Sequence, residues 1–91
     1  MTDDPQVVAP AEGLIVYGTK WCPDCSRARR FLERNKIAYT WIDIDRERNA
    51  DELVRGVNQG KRSVPTILFP DGSILVEPTD QAIAEKLGLA D

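Results

Sequence analysis

Histidine is absent from this 91-residue chain, and cysteine occurs only twice. There is thus no imidazole to serve as base or ligand, and two thiols fall short of the four ligands of a structural zinc site. No apolar run approaches the roughly 20 residues that a membrane-spanning helix needs. An excess of positive charge is also lacking. Twelve Lys and Arg stand against 15 Asp and Glu, for a net charge of −3, which argues against nucleic acid as a partner. The stretch Met1 to Pro10 carries Asp3 and Asp4 with no basic residue ahead of its few apolar ones. No secretory signal is expected there, and a cytoplasmic location is the default.

What is present suits one compact soluble domain. Hydrophobic residues make up 42% and charged residues 30%, the balance of an ordinary globule, and 91 residues suffice for one core and not two. Residues 1–12, with Pro5 and Pro10 and no sustained pattern, read as a flexible acidic tail ahead of a domain over 13–91. Leu14 to Tyr17 is short, apolar and rich in β-branched residues, and Gly18 ends it, as in a buried strand. Ala28, Phe31 and Leu32 then recur at helical spacing. Arg27, Arg29, Arg30 and Arg34 fall on the other faces, where a solvated role is expected, and the helix ends near Asn35-Lys36.

Tyr39 to Ile44 alternates like a strand. Asn49 and Glu52 suggest a capping box, and a helix from about Arg46 or Asn49 to Val57 follows, closed by Asn58-Gln59-Gly60. Thr66 to Phe69 and Ser73 to Val76 flank the hairpin turn Pro70-Asp71-Gly72, and Thr79 caps a last helix ending at Gly88. The order β-α-β-α-β-β-α makes the first two strands parallel and the last two antiparallel. The expected fold is α/β, a four-stranded mixed sheet flanked by three helices, the minimal thioredoxin fold.

Trp21-Cys22-Pro23-Asp24-Cys25 falls between the first strand and first helix. This spacing places Cys22 at the helix N-cap, Pro23 at the first helical position, where its missing N–H costs nothing, and Cys25 one turn in. Unpaired backbone N–H groups and the positive end of the helix dipole favour a thiolate at Cys22. Lys20 adds a cation nearby, and Asp24 works against it as a tuning residue. Cys25, facing the core, is expected to stay protonated until needed, so one sulfur attacks and the other resolves. Two cysteines in an unsecreted protein point to such chemistry before a structural bridge.

Ser63-Val64-Pro65-Thr66 opens the third strand, and a proline there is expected at the rim of the site. A cis bond at Val64-Pro65 would present the Val64 backbone to an incoming peptide or thiol. Lys61 and Arg62, with Lys20, could form a basic rim, and Trp21 would cover its edge.

On these residues the chain resembles the glutaredoxins, and within them the mycoredoxins. The resemblance runs from about Leu14 to Leu89. It rests on Trp21-Cys22-x-x-Cys25, Ile37-Ala38-Tyr39, Asp43-Ile44, Val57-Asn58-x-Gly60-x-Arg62-Ser63-Val64-Pro65-Thr66, Asp71-Gly72-Ser73 and Pro78-Thr79. It implies reduction of mixed disulfides between proteins and a low-molecular-weight thiol, mycothiol or glutathione. No cofactor or metal would be bound, and the chain would act as a monomer. Cys22 would attack and Cys25 resolve, with Lys20, Trp21, Pro23, Arg62, Val64 and Pro65 around the thiol. Glutathione-using members usually carry paired glycines before the last helix. Here Val76-Glu77-Pro78-Thr79 is bulkier and acidic, which favours mycothiol or another thiol. Two other readings are a dithiol electron donor to a protein such as ribonucleotide reductase, recharged by a flavoprotein disulfide reductase, and an iron–sulfur cluster carrier.

Overall fold

The computed structural model describes residues 14–89, so the tail expected at 1–12 lies outside the described residues. The chain runs β1 (Ile15–Gly18), α1 (Pro23–Arg34), β2 (Thr40–Asp43), α2 (Arg48–Val57), β3 (Thr66–Leu68), β4 (Ile74–Val76) and α3 (Asp80–Leu87). The sheet order is β2-β1-β3-β4. β1 and β2 are parallel, with Val16 opposite Trp41 and Gly18 opposite Asp43. β3 is antiparallel to both β1 and β4. This is the three-helix, four-stranded mixed architecture expected from the sequence.

Alternation along β1 divides the core between the two faces of the sheet. Val16 joins Leu14, Ala28, Leu32, Ile67, Phe69 and Ile83 on the face covered by α1 and α3. Tyr17 joins Ile44, Ala50 and Val54 on the face covered by α2. Helix α1 buries Cys25, Ala28 and Leu32 along one stripe, so the stripe that anchors the helix also drives one cysteine inward. Each fully buried Leu or Ile contributes about 1.5–3 kcal/mol, and that burial holds the first turn of α1 against the sheet.

The helix ends follow local chemistry. Thr79 caps α3 by accepting the Ala82 N–H at 3.0 Å, and Gly88 takes the left-handed conformation after it, at φ 72°. α1 ends through the same bond pattern without a glycine. The Ile37 N–H reaches the Leu32 carbonyl and the Lys36 N–H that of Glu33, with Lys36 at φ 60°. α2 starts between the two expected starts and ends at Val57 as expected, and only its cap departs from expectation. Its N-cap is Glu47, which makes no side-chain cap bond, and Asn49 and Glu52 lie within the helix. Asp43 sets the earlier start. Its carboxylate accepts the Asp45 N–H, and its carbonyl accepts the Arg46 and Glu47 N–H groups, which turns the chain into α2 ahead of Asn49.

Candidate active site

Cys22 occupies the N-cap of α1 with extended backbone, and Pro23 follows at the first helical position. The Cys22 Sγ accepts the Cys25 backbone N–H at 3.1 Å, so an orphan donor of the helix start points at sulfur. The same sulfur donates to the Val64 carbonyl at 3.7 Å. Both cysteines are free thiols, Cys22 half-buried and Cys25 buried. The Val64-Pro65 peptide bond is cis, and its loop lies directly against Cys22. The two segments that the sequence singled out thus meet at one sulfur.

Cys25 is 1% exposed. Burial pushes its thiol up to about 12, and the bond to the Cys22 sulfur and the charges of Cys22 and Asp24 push the same way. A backbone hydrogen bond with Thr19 pulls against them. Gly18, read from sequence only as the stop of β1, has a larger part. A Cβ built there would lie 2.5 Å from the Cys25 Sγ and 2.8 Å from the Trp41 ring. Only a residue without a side chain leaves the Cys25 sulfur its place.

The remaining expected site residues spread along the rim. Trp21 is 79% exposed, and its indole N–H donates to Asp45 at 3.3 Å. Lys20 lies on a groove of about 630 Å³ that Trp41, Asp43, Arg46 and Leu53 also line, between β2 and α2. Arg62, expected with Lys20 and Lys61 in a basic rim, is ion-paired by Asp45 at 2.5 Å and Asp51 at 2.7 Å. The Arg62 bond to Asp51, and after it one from Arg55, hold the Asp51 carboxyl below the usual carboxylate range. Arg62 therefore braces the segment before Val64 against α2 and the end of β2.

Arg27 was not recognised from sequence, where it reads as part of a solvated face. Its guanidinium bonds Asp80 at 2.5 Å and the Pro78 carbonyl at 3.0 Å, and it approaches Asp24 at 3.8 Å. It ties the first turn of α1 to the start of α3. The available signal was its place two residues after Cys25 and three after Asp24, on the turn that carries both sulfurs. With Asp24, Glu77, Pro78, Thr79 and Gln81 it lines a groove of about 490 Å³. Glu77 is strained into the left-handed region at φ 51°, and its N–H donates to the Pro65 carbonyl at 2.8 Å. The groove wall and the proline loop are thereby one hydrogen-bonded unit.

Arg29, also expected on a solvated face, lies 4.1 Å over the Trp41 ring. Among the described residues no helix is long and apolar enough to cross a membrane.

Comparison with known proteins agrees with this geometry. The glutaredoxin family model matches residues 14–74. A Mycobacterium tuberculosis protein described as a glutaredoxin is 45% identical over 74 residues, covering 81% of this chain and 88% of the relative. Mycoredoxin 1 of Corynebacterium glutamicum is 35% identical over 74 residues, covering 81% and 91%. Among solved structures, a mutant of the thioredoxin-like protein BC3987 superposes with a TM-score of 0.77 at 23% identity, over 87% of this chain and 99% of the other, a likeness of fold alone. The two cysteines at the head of α1, the proline loop facing them and these matches lead to one assignment: the chain belongs to the glutaredoxin family.

Proposed function

We propose that this protein is a thiol–disulfide oxidoreductase that reduces mixed disulfides between proteins and a small thiol, with Cys22 as nucleophile and Cys25 in reserve. One observation carries the reading. A half-buried sulfur at a helix N-cap receives the Cys25 N–H at 3.1 Å, while its partner is sealed at 1% exposure. In the first step the Cys22 thiolate attacks the small-thiol sulfur of the adduct, and the protein thiolate leaves. In the second, a further small-thiol thiolate attacks that same sulfur on Cys22 and restores the Cys22 thiolate, giving the small-thiol disulfide. Alternatively, Cys25 loses its proton, attacks the Cys22 sulfur and expels the small thiol, leaving a Cys22–Cys25 disulfide.

The Val64-Pro65 loop and Trp21 flank the attacking sulfur and would guide the adduct, with Pro23 shaping the turn, Lys20 adding charge and Arg62 bracing the loop. The groove beside Asp24 favours an uncharged, sugar-linked thiol such as mycothiol over glutathione. Its lining carries the carboxylates of Asp24, Glu77 and Asp80 against the single guanidinium of Arg27, already bonded to Asp80. The two carboxylates of glutathione would meet like charge there. Hydroxyl groups would meet acceptors.

Single-turnover reduction of a peptide mixed disulfide, made once with mycothiol and once with glutathione, tests this reading. Wild type and Cys25→Ser should both remove the adduct, mycothiol faster, and Cys22→Ser should not. Loss of the reaction in Cys25→Ser would instead indicate a dithiol donor to proteins.

A further inference from the structure

Behind the resolving sulfur lies an arrangement that the two-cysteine chemistry does not itself require. Gly18 ends β1 and is buried. Its missing side chain leaves a space bounded on one side by the Cys25 Sγ, 2.5 Å from where a Cβ would be. On another side the Trp41 Cη2 and Cζ3 lie 2.8 and 2.9 Å from that same point. Strand, helix and indole thus converge on the volume of one methyl group. Trp41 packs against the core shared by α1 and α3. Its ring is covered by the Arg29 guanidinium at 4.1 Å, and the Arg29 Nε donates to the Tyr39 hydroxyl at 3.2 Å. That hydroxyl donates in turn to Glu33. The indole is held in place from its outer side and meets the sulfur region with its inner edge.

We infer that Trp41, seated against Gly18, is a positioning residue that keeps water from the Cys25 sulfur and so slows closure of the Cys22–Cys25 disulfide. This rests on the function proposed above and goes beyond it by assigning the rate of that closure to a residue outside the cysteine motif. An apolar wall disfavours the thiolate that closure requires, because a buried charge loses its hydration. The groups that face Cys25 are few. Cys22 and Asp24 on α1 oppose its ionisation, and a backbone bond with Thr19 assists it. β1 and β2 present Gly18 and Trp41, which carry no charge, and the Arg29 cation sits above the indole ring.

The test starts from the full chain carrying glutathione on Cys22, formed with oxidised glutathione as probe and freed of excess thiol. Closure to the Cys22–Cys25 disulfide releases one glutathione thiolate and is followed by mass spectrometry from neutral to alkaline pH. Trp41→Leu should close at least about 10-fold faster at neutral pH, with its profile moved about one unit or more to lower pH, since one unit is a tenfold change in thiolate. Trp41→Phe, which keeps an aromatic wall, should stay near wild type. Arg29→Gln, which unclamps the ring and leaves the core residues unchanged, should accelerate closure about 3-fold and provides the test if Trp41→Leu does not fold. Wild-type rates and profiles in folded Trp41→Leu, or in Arg29→Gln where only that variant folds, would overturn the role of Trp41. Failure of wild type to accept glutathione or mycothiol on Cys22 at all would overturn the underlying function instead.

Discussion

The first turn of α1 carries two sulfurs three residues apart whose surroundings have little in common. Cys22 is half-buried and meets two backbone polar groups, the Cys25 N–H and the Val64 carbonyl. Cys25 is buried at the head of the stripe that continues through Ala28 and Leu32, in the space that Gly18 and Trp41 leave. The same helix produces both environments. Its N-cap residue faces the loop and its third residue faces the sheet, three positions on and rotated inward. Unequal burial of the two sulfurs is thus a consequence of helical geometry where α1 meets the sheet.

The contrast can be broken most drastically at the sulfurs. Cys22→Ser should lower turnover on mixed disulfides on the order of 10³-fold or more, whereas Cys25→Ser should stay within about 10-fold of wild type in the presence of excess small thiol. Steady-state rates with each variant measure this. Next in size is the stripe that pulls Cys25 inward. Leu32→Ala should destabilise the fold by about 2–5 kcal/mol. Ser26→Ala, on the exposed side of the same helix, should stay within about 0.5 kcal/mol. Urea denaturation of both variants makes the comparison.

A third test uses alkali. Burial pushes the folded Cys25 thiol up to about 12, from its ordinary value of 9.0. The folded state therefore holds a proton that the unfolded chain releases, so stability is fully present below pH 9 and falls as pH rises toward 12. Chemical denaturation across that range should show a decline that Cys25→Ser lessens. The smallest effect is expected at Asp24, the last of the causes raising Cys25. Asp24→Asn should lower the Cys25 titration by less than about one unit, read from the sulfur absorbance of a Cys22→Ser background.

Much of this was legible in the chain because it is local. The Cys22–Pro23 start of α1 follows from proline's tolerance at a first helical position, and the strand order follows from alternation and turn residues. The extent of α2 is legible to within two residues, but the Asn49 capping box is not formed, because the turn at Asp43, at the end of β2, starts the helix at Arg48. Arg27 and Arg29 were placed on a solvated face because periodicity shows which residues avoid the core but not what returns to meet them. The partners are Asp80 and the Pro78 carbonyl for Arg27, and Trp41 and Tyr39 for Arg29. Gly18 was underread for the same reason. A missing side chain signals a close approach only when the approaching atoms, from α1 and β2, are known.

Alkylation of each thiol in isolation measures the inequality of the two sulfurs most directly. Cys25→Ser and Cys22→Ser, each with one remaining cysteine, are treated with iodoacetamide at pH 7 under native conditions and followed by mass spectrometry. The account predicts that Cys22 is modified at least about 100-fold faster than Cys25, because burial both shields the Cys25 sulfur and suppresses its thiolate. Equal rates at the two positions in folded protein would contradict it.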